Sequence, residues 1–317
     1  MTLPALMRQR AQLVSLIREF FAARGVLEVS TPVLSQAGNS DPNIDSFSSR
    51  YHGPPRGGPA LRWLRTSPEF FHKRLLAAGC GDLYEIASVF RDGECGARHN
   101  PEFTLLEWYR VGFDHHQLMD EVEALVRTLA AAFGRQLGSA ERLSYQQCYQ
   151  RYVGIDPLTA SREDLEQALS DCTINLEGLS RDDLLDLVRT HLIEARWSDQ
   201  QFLFIHDFPA SQAALARIHP TDPRVAERFE LYLGRVELAN GYHELNDAVE
   251  QRQRFERDLA ERVRRGAALP ALDEFLLQAL PQMPDCAGVA LGVERLHQWL
   301  VGADTIEAVM PFVFARA

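Results

Sequence analysis

Three stretches of this chain gather side chains suited to handling a phosphorylated ligand. The first is Phe90-Arg91-Asp92-Gly93-Glu94-Cys95-Gly96-Ala97-Arg98-His99-Asn100-Pro101-Glu102-Phe103. Arg91 and Arg98 can pair with phosphate oxygens, and Phe103 offers a face on which a purine can stack. The second is Val236-Glu237-Leu238-Ala239-Asn240-Gly241-Tyr242-His243-Glu244-Leu245-Asn246-Asp247. Glu237 and Glu244 would point to opposite faces of a regular strand, but a bulge at Asn240-Gly241 would return them to one face. Two carboxylates on one face suit Mg²⁺ bridging nucleotide phosphates. The third is Gly288-Val289-Ala290-Leu291-Gly292-Val293-Glu294-Arg295-Leu296, where small residues leave room against a strand and Arg295 opens the following helix. Each stretch alone also fits a structural role: cross-strand ion pairs, solvated acids, or glycine for close strand-helix packing. The third is neither a phosphate loop nor a dinucleotide fingerprint.

The elements needed to position these residues follow from periodicity. Leu13, Ile17, Phe20 and Phe21 recur at helical spacing, which predicts a helix over 11–23 ended by Gly25, with an extended segment over 26–34. Residues 37–60, including Gly57-Gly58-Pro59, read as a long irregular loop with a short hairpin. A helix is expected over 67–78, with Ser67 as N-cap, Pro68 at the first helical position and Glu69 in the first turn. Strands are expected over 82–91 and 102–110, joined by a polar loop; Glu85 and Arg91 share one face of the first, and Phe103, Glu107 and Tyr109 one face of the second. Residues 117–200 read as mostly helical. Further strands are expected over 202–205, 228–233, 236–245 and 289–293, with a charged helix over 250–265. Strands joined by tight turns and long loops, without regular strand-helix alternation, indicate an α+β fold with a largely antiparallel sheet.

Composition sets outer limits. The chain has 317 residues, 46% of them hydrophobic and 24% charged, which suits a folded globular protein. Its formal charge of -11 opposes nonspecific binding to nucleic acid. The five cysteines are odd in number and widely spaced, which fits reduced thiols. Arg8, Arg10, Arg18 and Glu19 interrupt any apolar leader, and no uncharged run approaches the roughly 20 residues of a membrane span, so a cytoplasmic location is expected.

Together the three stretches resemble motifs 2 and 3 of the class II aminoacyl-tRNA synthetases and the acidic strand before motif 3. Thr66-Ser67-Pro68-Glu69, Arg98-His99-Asn100-Pro101-Glu102-Phe103-Thr104 and Glu244-Leu245-Asn246-Asp247 look like the lysyl-tRNA synthetase versions. Arg24-Gly25-Val26-Leu27-Glu28-Val29-Ser30-Thr31-Pro32-Val33-Leu34 is similar to motif 1, which forms the dimer interface in that class. The resemblance runs from about Leu6 to Arg316. It implies one catalytic domain over 1–317, an antiparallel sheet flanked by helices, and a helical insertion at about 117–200. The motifs begin so near Met1 that no N-terminal OB-fold anticodon-binding domain is expected, which disfavours tRNA as acceptor. Ala290 stands where the lysyl enzymes have glycine, and Asp92-Gly93 where Asn-Glu is usual.

These departures, with Glu107-Trp108-Tyr109 and the run from Pro284 to Val293, resemble the truncated lysyl-tRNA synthetase paralogues that attach (R)-β-lysine to a lysine of translation elongation factor P. The resemblance implies ATP contacts at Arg91, Asp92, Gly93, Arg98, Asn100, Phe103, Glu237, Leu238, Gly292 and Arg295. It implies amino-acid contacts at Ser67, Pro68, Glu69, Tyr109, Glu244 and Ala290, and Mg²⁺ on Glu237 and Glu244. Arg91, Glu237, Glu244 and Arg295 would carry catalysis, in a homodimer, with elongation factor P as acceptor. A synthetase-like ligase using α-lysine and an inactive regulatory paralogue are the alternatives.

Overall fold

The fold is that of a computed structural model, which describes residues 2–54 and 58–317; Gly57 of the expected turn lies outside them. Eight strands form the main sheet: β1 (Leu27–Glu28), β2 (Leu83–Phe90), β3 (Glu102–Val111), β4 (Glu141–Ser144), β5 (Phe202–Pro209), β6 (Val225–Leu233), β7 (Val236–His243) and β8 (Cys286–Gly292). Their spatial order is β1-β2-β3-β8-β7-β6-β5-β4. Pairing is antiparallel across the middle, while the outermost pairs, β1 with β2 and β4 with β5, are parallel. The short edge strand β4, inside the stretch read as helical, carries no long apolar run to announce it; its pairing with β5 is a tertiary event. A small second sheet joins Leu34–Ser35, Leu61–Leu64 and Ser48–Arg50, so a hairpin forms between the middle of the expected loop and the segment just after it.

One face of the main sheet is closed by helices. Leu13, Ile17 and Phe21 of the helix Leu3–Ala22, and Leu118, Val122, Leu125 and Leu129 of the helix His115–Ala132, pack on Leu106, Trp108, Phe229, Leu231, Val289 and Leu291. Phe21 stacks on Tyr84 with ring centroids 4.5 Å apart. Fully burying each such side chain is worth roughly 1.5–3 kcal/mol, which fixes the register of the strands whose other face carries polar groups. The first helix starts earlier than its apolar spacing predicts because Pro4 is tolerated in a first turn.

Residues 145–197 build a separate helical cluster around Tyr145, Tyr149, Leu184, Leu185 and Trp197, seated on Leu203, Ile205 and Tyr232. The helix His115–Ala132, by contrast, belongs to the core behind the sheet. No helix among the described residues is long and apolar enough to cross a membrane.

The open face of the sheet is flanked by the helices Glu69–Ala77, Ala248–Arg265 and Glu274–Ala279, which meet over Leu83, Tyr109 and Cys286. The helix expected from Ser67 starts at Glu69, with Pro68 as its N-cap. Ser67 still satisfies its first turn: its Oγ accepts the Glu69 N–H at 3.0 Å.

Candidate active site

Along β3, β7 and β8 every second side chain faces a cleft of about 880 Å³. Its floor includes Phe103, Leu105, Glu107 and Tyr109 of β3, Glu237, Asn240 and Tyr242 of β7 with Glu244 just beyond, and Gly288, Ala290 and Gly292 of β8. The bulge that brings Glu237 and Glu244 to one face exists, but at Leu238 rather than Asn240-Gly241: Glu237 pairs with Tyr232 and Ala239 with Leu231, leaving Leu238 as the extra residue. Gly241 has a different task. A Cβ there would collide with the Phe229 ring and approach Val289 to 2.9 Å, so glycine allows the sheet to close over its core.

One end of the cleft is a buried acidic cluster. Lys73 Nζ, 1% exposed, lies 2.7 Å from Glu69 Oε1 and 2.7 Å from Glu244 Oε2. Glu107 accepts from Ser67 Oγ at 2.7 Å and Tyr109 Oη at 3.0 Å, and His72 Nδ1 lies 3.2 Å from it. The other nitrogen of His72 lies 3.0 Å from Glu85, which also receives Thr31 Oγ1 at 2.7 Å and pairs with Arg65 at 2.9 Å. Four carboxyl groups thus share two permanent cations and one imidazole.

Burial opposes charge on His72 and Lys73, but their carboxylate partners outweigh it and raise both pKa values. The surplus negative charge falls on the acids. Burial, reinforced by Glu69 and Glu107 against the pull of Lys73, pushes Glu244 up to about 8, and burial raises Glu69 as well. A pocket of this kind favours a ligand that brings its own ammonium groups. Replacing Lys73 with methionine leaves Glu69 and Glu244 buried without a cation, which should lower unfolding free energy by about 3–5 kcal/mol in urea titrations near pH 8. The loss should shrink as the pH falls and the orphaned carboxyls take up protons.

The other end is basic and aromatic. The Arg91 guanidinium lies over the Phe103 ring at 5.1 Å and 3.6 Å from Glu94. Arg295 donates to the Glu237 carbonyl at 3.0 Å and reaches His99 at 2.7 Å, while Arg98 donates to the Arg235 carbonyl at 3.0 Å. Glu237 is raised by burial and then by Glu230, itself paired with Arg228 at 2.5 Å. Arg295, Arg189 and Arg228 pull it the other way; Glu237 faces the cleft and could hold a cation such as Mg²⁺, whereas Glu244 is already engaged by Lys73.

A family model described as tRNA synthetases class II (D, K and N) matches residues 2–316. The chain belongs to the class II tRNA synthetase family. It is 48% identical to the elongation factor P–(R)-β-lysine ligase of Vibrio vulnificus (strain YJ016), over 98% of this chain and 96% of that protein. Proteins of the same name from Vibrio cholerae and Vibrio campbellii are each 46% identical over the same shares.

Most positions that the class II synthetase motifs single out converge on the cleft: Ser67, Glu69, Arg91, Arg98, Asn100, Phe103, Tyr109, Glu237, Leu238, Glu244, Ala290, Gly292 and Arg295 all line it. Pro68, Asp92 and Gly93 do not. Pro68 caps the helix that presents Glu69, and the Asp92 N–H is spent on the Asp45 carbonyl at 2.8 Å, with Gly93 in a left-handed turn at φ 79°. Asn100 reaches the cleft, but its side chain is committed, donating to the Glu102 carbonyl at 2.6 Å and accepting from the Phe314 N–H at 2.9 Å. Ala290 packs beside Phe103 and Leu105, while the position between Tyr109 and Glu244 belongs to Gly288.

The sequence motifs overlooked Lys73 and His72. The spacing of Lys73 four residues after Glu69 was visible, but it reads as an ordinary helix-surface pair until tertiary structure buries it. The motifs also left out the loop 39–44 as part of the wall, held by Ser40 Oγ donating to Asp258 at 3.0 Å and by Arg262 pairing with Asp45 at 2.6 Å.

Proposed function

We propose that this chain is an ATP-dependent, AMP-forming ligase that activates (R)-β-lysine as its adenylate and transfers it to a lysine side chain of elongation factor P. The observation behind this reading is the continuity of one cleft, acidic and sterically tight at the Glu69-Lys73-Glu244 end and basic at the Arg91-Arg295 end. A substrate with two ammonium groups and one carboxylate fits that polarity, with its carboxylate directed toward the arginines. The names and coverage of the Vibrio relatives support the same activity, and the family model spanning 2–316 supports a single catalytic domain.

In the first step a substrate carboxylate oxygen attacks the α-phosphorus of ATP and the bond to pyrophosphate breaks. Arg91 stabilises charge on the α-phosphoryl oxygens, Phe103 and Arg295 hold the adenine, and Arg98 binds a phosphate. Glu237 would hold Mg²⁺, which when bound offsets charge on the polyphosphate. Glu69, Tyr109 and Glu244 fix the amino groups and so orient the carboxylate. In the second step the neutral ε-amine of the acceptor lysine attacks the acyl carbon; an amide forms, AMP leaves, and the amine loses a proton.

Intact-mass analysis of elongation factor P incubated with this protein, ATP, Mg²⁺ and (R)-β-lysine tests the reading. A lysyl-sized gain, stronger than with α-lysine, is expected; charged tRNA with unmodified elongation factor P would overturn it.

The acidic pocket also gives binding a pH signature. In the empty site Glu244 holds a proton below about pH 8, and an incoming ammonium lowers that pKa again. Binding of β-lysine should therefore release a proton between the ordinary carboxylate range and about pH 8, and affinity should rise with pH by at most about tenfold per unit across that window. Calorimetry in two buffers of different ionisation enthalpy reads the proton directly, and zero release would count against the assignment.

The motif 1 segment leaves Leu27, Val33 and Leu34 exposed beside the unpaired edge of β1, which supports a homodimer through this surface. Replacing Leu27 and Leu34 together with glutamate should reduce the mass measured by light scattering from twice 35.8 kDa to 35.8 kDa.

A further inference from the structure

On the sheet face opposite the cleft, four side chains converge for which the ligase reading has no use. His115 and His116 open the helix His115–Ala132, whose start is fixed by a capping box between Asp114 and Gln117. His206 and Asp207 lie on β5 at a register shift between His206 and Phe208, where Asp207 adopts a left-handed φ of 56°. In a regular strand neighbours point to opposite faces; this bulge turns both toward the helix. Asp207 Oδ1 lies 3.2 Å from His115 Nε2, and Oδ2 lies 2.9 Å from His206 Nδ1. The imidazoles of His115 and His116 have centroids 4.1 Å apart, and those of His116 and His206 5.2 Å. One ligand atom from each of the four residues falls within 4.8 Å of all the others.

We infer that His115, His116, His206 and Asp207 form a binding site for a divalent metal ion of the zinc class. Nitrogen and carboxylate ligands at 2.0–2.2 Å from tetrahedral zinc stand about 3.3 Å apart, so the spacings from Asp207 are already close to those of a coordination shell. Neutral imidazole is the form that ligates metal.

His115 is the most buried of the four. Its ring is 2% exposed, and Nδ1 has no hydrogen-bond partner among the described residues. With Nε2 turned to Asp207, the buried Glu227 and His243 stand near the same ring, these three residues also offering ligand atoms within 4.8 Å of one another. An ion on Nε2 fixes Nδ1 as the protonated nitrogen, while Glu227 is paired with Arg217 at 2.7 Å and with His243 at 2.8 Å. The ion would thereby tie the helix start to β5.

The test uses the full untagged chain, stripped with chelator and titrated with Zn²⁺ against a chromophoric chelator and with Co²⁺ in the visible range. We expect one ion per chain, the intense bands of tetrahedral cobalt, and affinity at least about tenfold weaker in His116→Ala and in His206→Ala, with unchanged circular dichroism. His116 is exposed, so its loss leaves packing intact, and Glu237→Gln should bind the ion as the unaltered chain does. No binding, equal affinity in the two histidine variants, or loss of the ion in Glu237→Gln would each overturn the assignment. Because the measurement needs neither ATP nor amino acid, its failure leaves the ligase reading untouched.

Discussion

Alanine at Gly288 is expected to cut β-lysine-dependent ATP–pyrophosphate exchange by about a hundredfold, mostly through KM, since overpacking at a rigid site costs about 1–3 kcal/mol. A Cβ on this residue would stand 2.5 Å from Glu244 Oε1 and closer still to the Tyr109 ring. Neither neighbour can retreat. Tyr109 is 2% exposed and bonded to Glu107, and Glu244 is held by Lys73. The backbone of Gly288 is ordinary β-strand, so the requirement is for space and not for a left-handed conformation. Gly292→Ala provides the contrast: there a Cβ would meet only the Arg295 side chain at 3.6 Å, an ordinary contact. Loss of exchange in that variant would report on nucleotide and not on packing. Unaltered exchange in Gly288→Ala would move the amino-acid pocket away from Tyr109 and Glu244.

Removing the Arg91 guanidinium should lower the rate of adenylate formation by about 10²–10³-fold, the usual effect of deleting one donor aimed at developing charge. Arg91 rests on Phe103 and pairs loosely with Glu94 without entering any core cluster, so Arg91→Ala should melt near the temperature of the unaltered protein. Binding of β-lysine, measured by calorimetry without ATP, should persist because the acidic end is built from other residues. Exchange that survives the substitution would remove Arg91 from the chemistry and leave it as a partner for the Phe103 ring.

The long strands were legible because their apolar residues recur at the strand period between turn and loop signals: β2, β3, β6 and β7 fall within about three residues of the spans that periodicity indicates. The local devices were harder. A bulge was needed between Glu237 and Glu244, and Asn240-Gly241 was the obvious place for it, yet Gly241 is held in register by Phe229 and Val289 and the extra residue moves to Leu238. Periodicity can demand a bulge without saying which backbone position gives way. Similarly, β4 exists only because β5 offers it a partner edge.

What the sequence by itself determined is the inventory and order of the chemistry: the arginine-bearing strand pair, the two glutamates, the small residues of β8, and through them the family. Those are properties of residue type and spacing, which survive without coordinates. Only the tertiary structure decided how the charges balance. Lys73 becomes the cation of the pocket, and His72 the link between Glu107 and Glu85, because the helix Glu69–Ala77 lies against the sheet with that side inward. Electrostatics inside a protein depends on distance and on the exclusion of water, and neither is written along the chain.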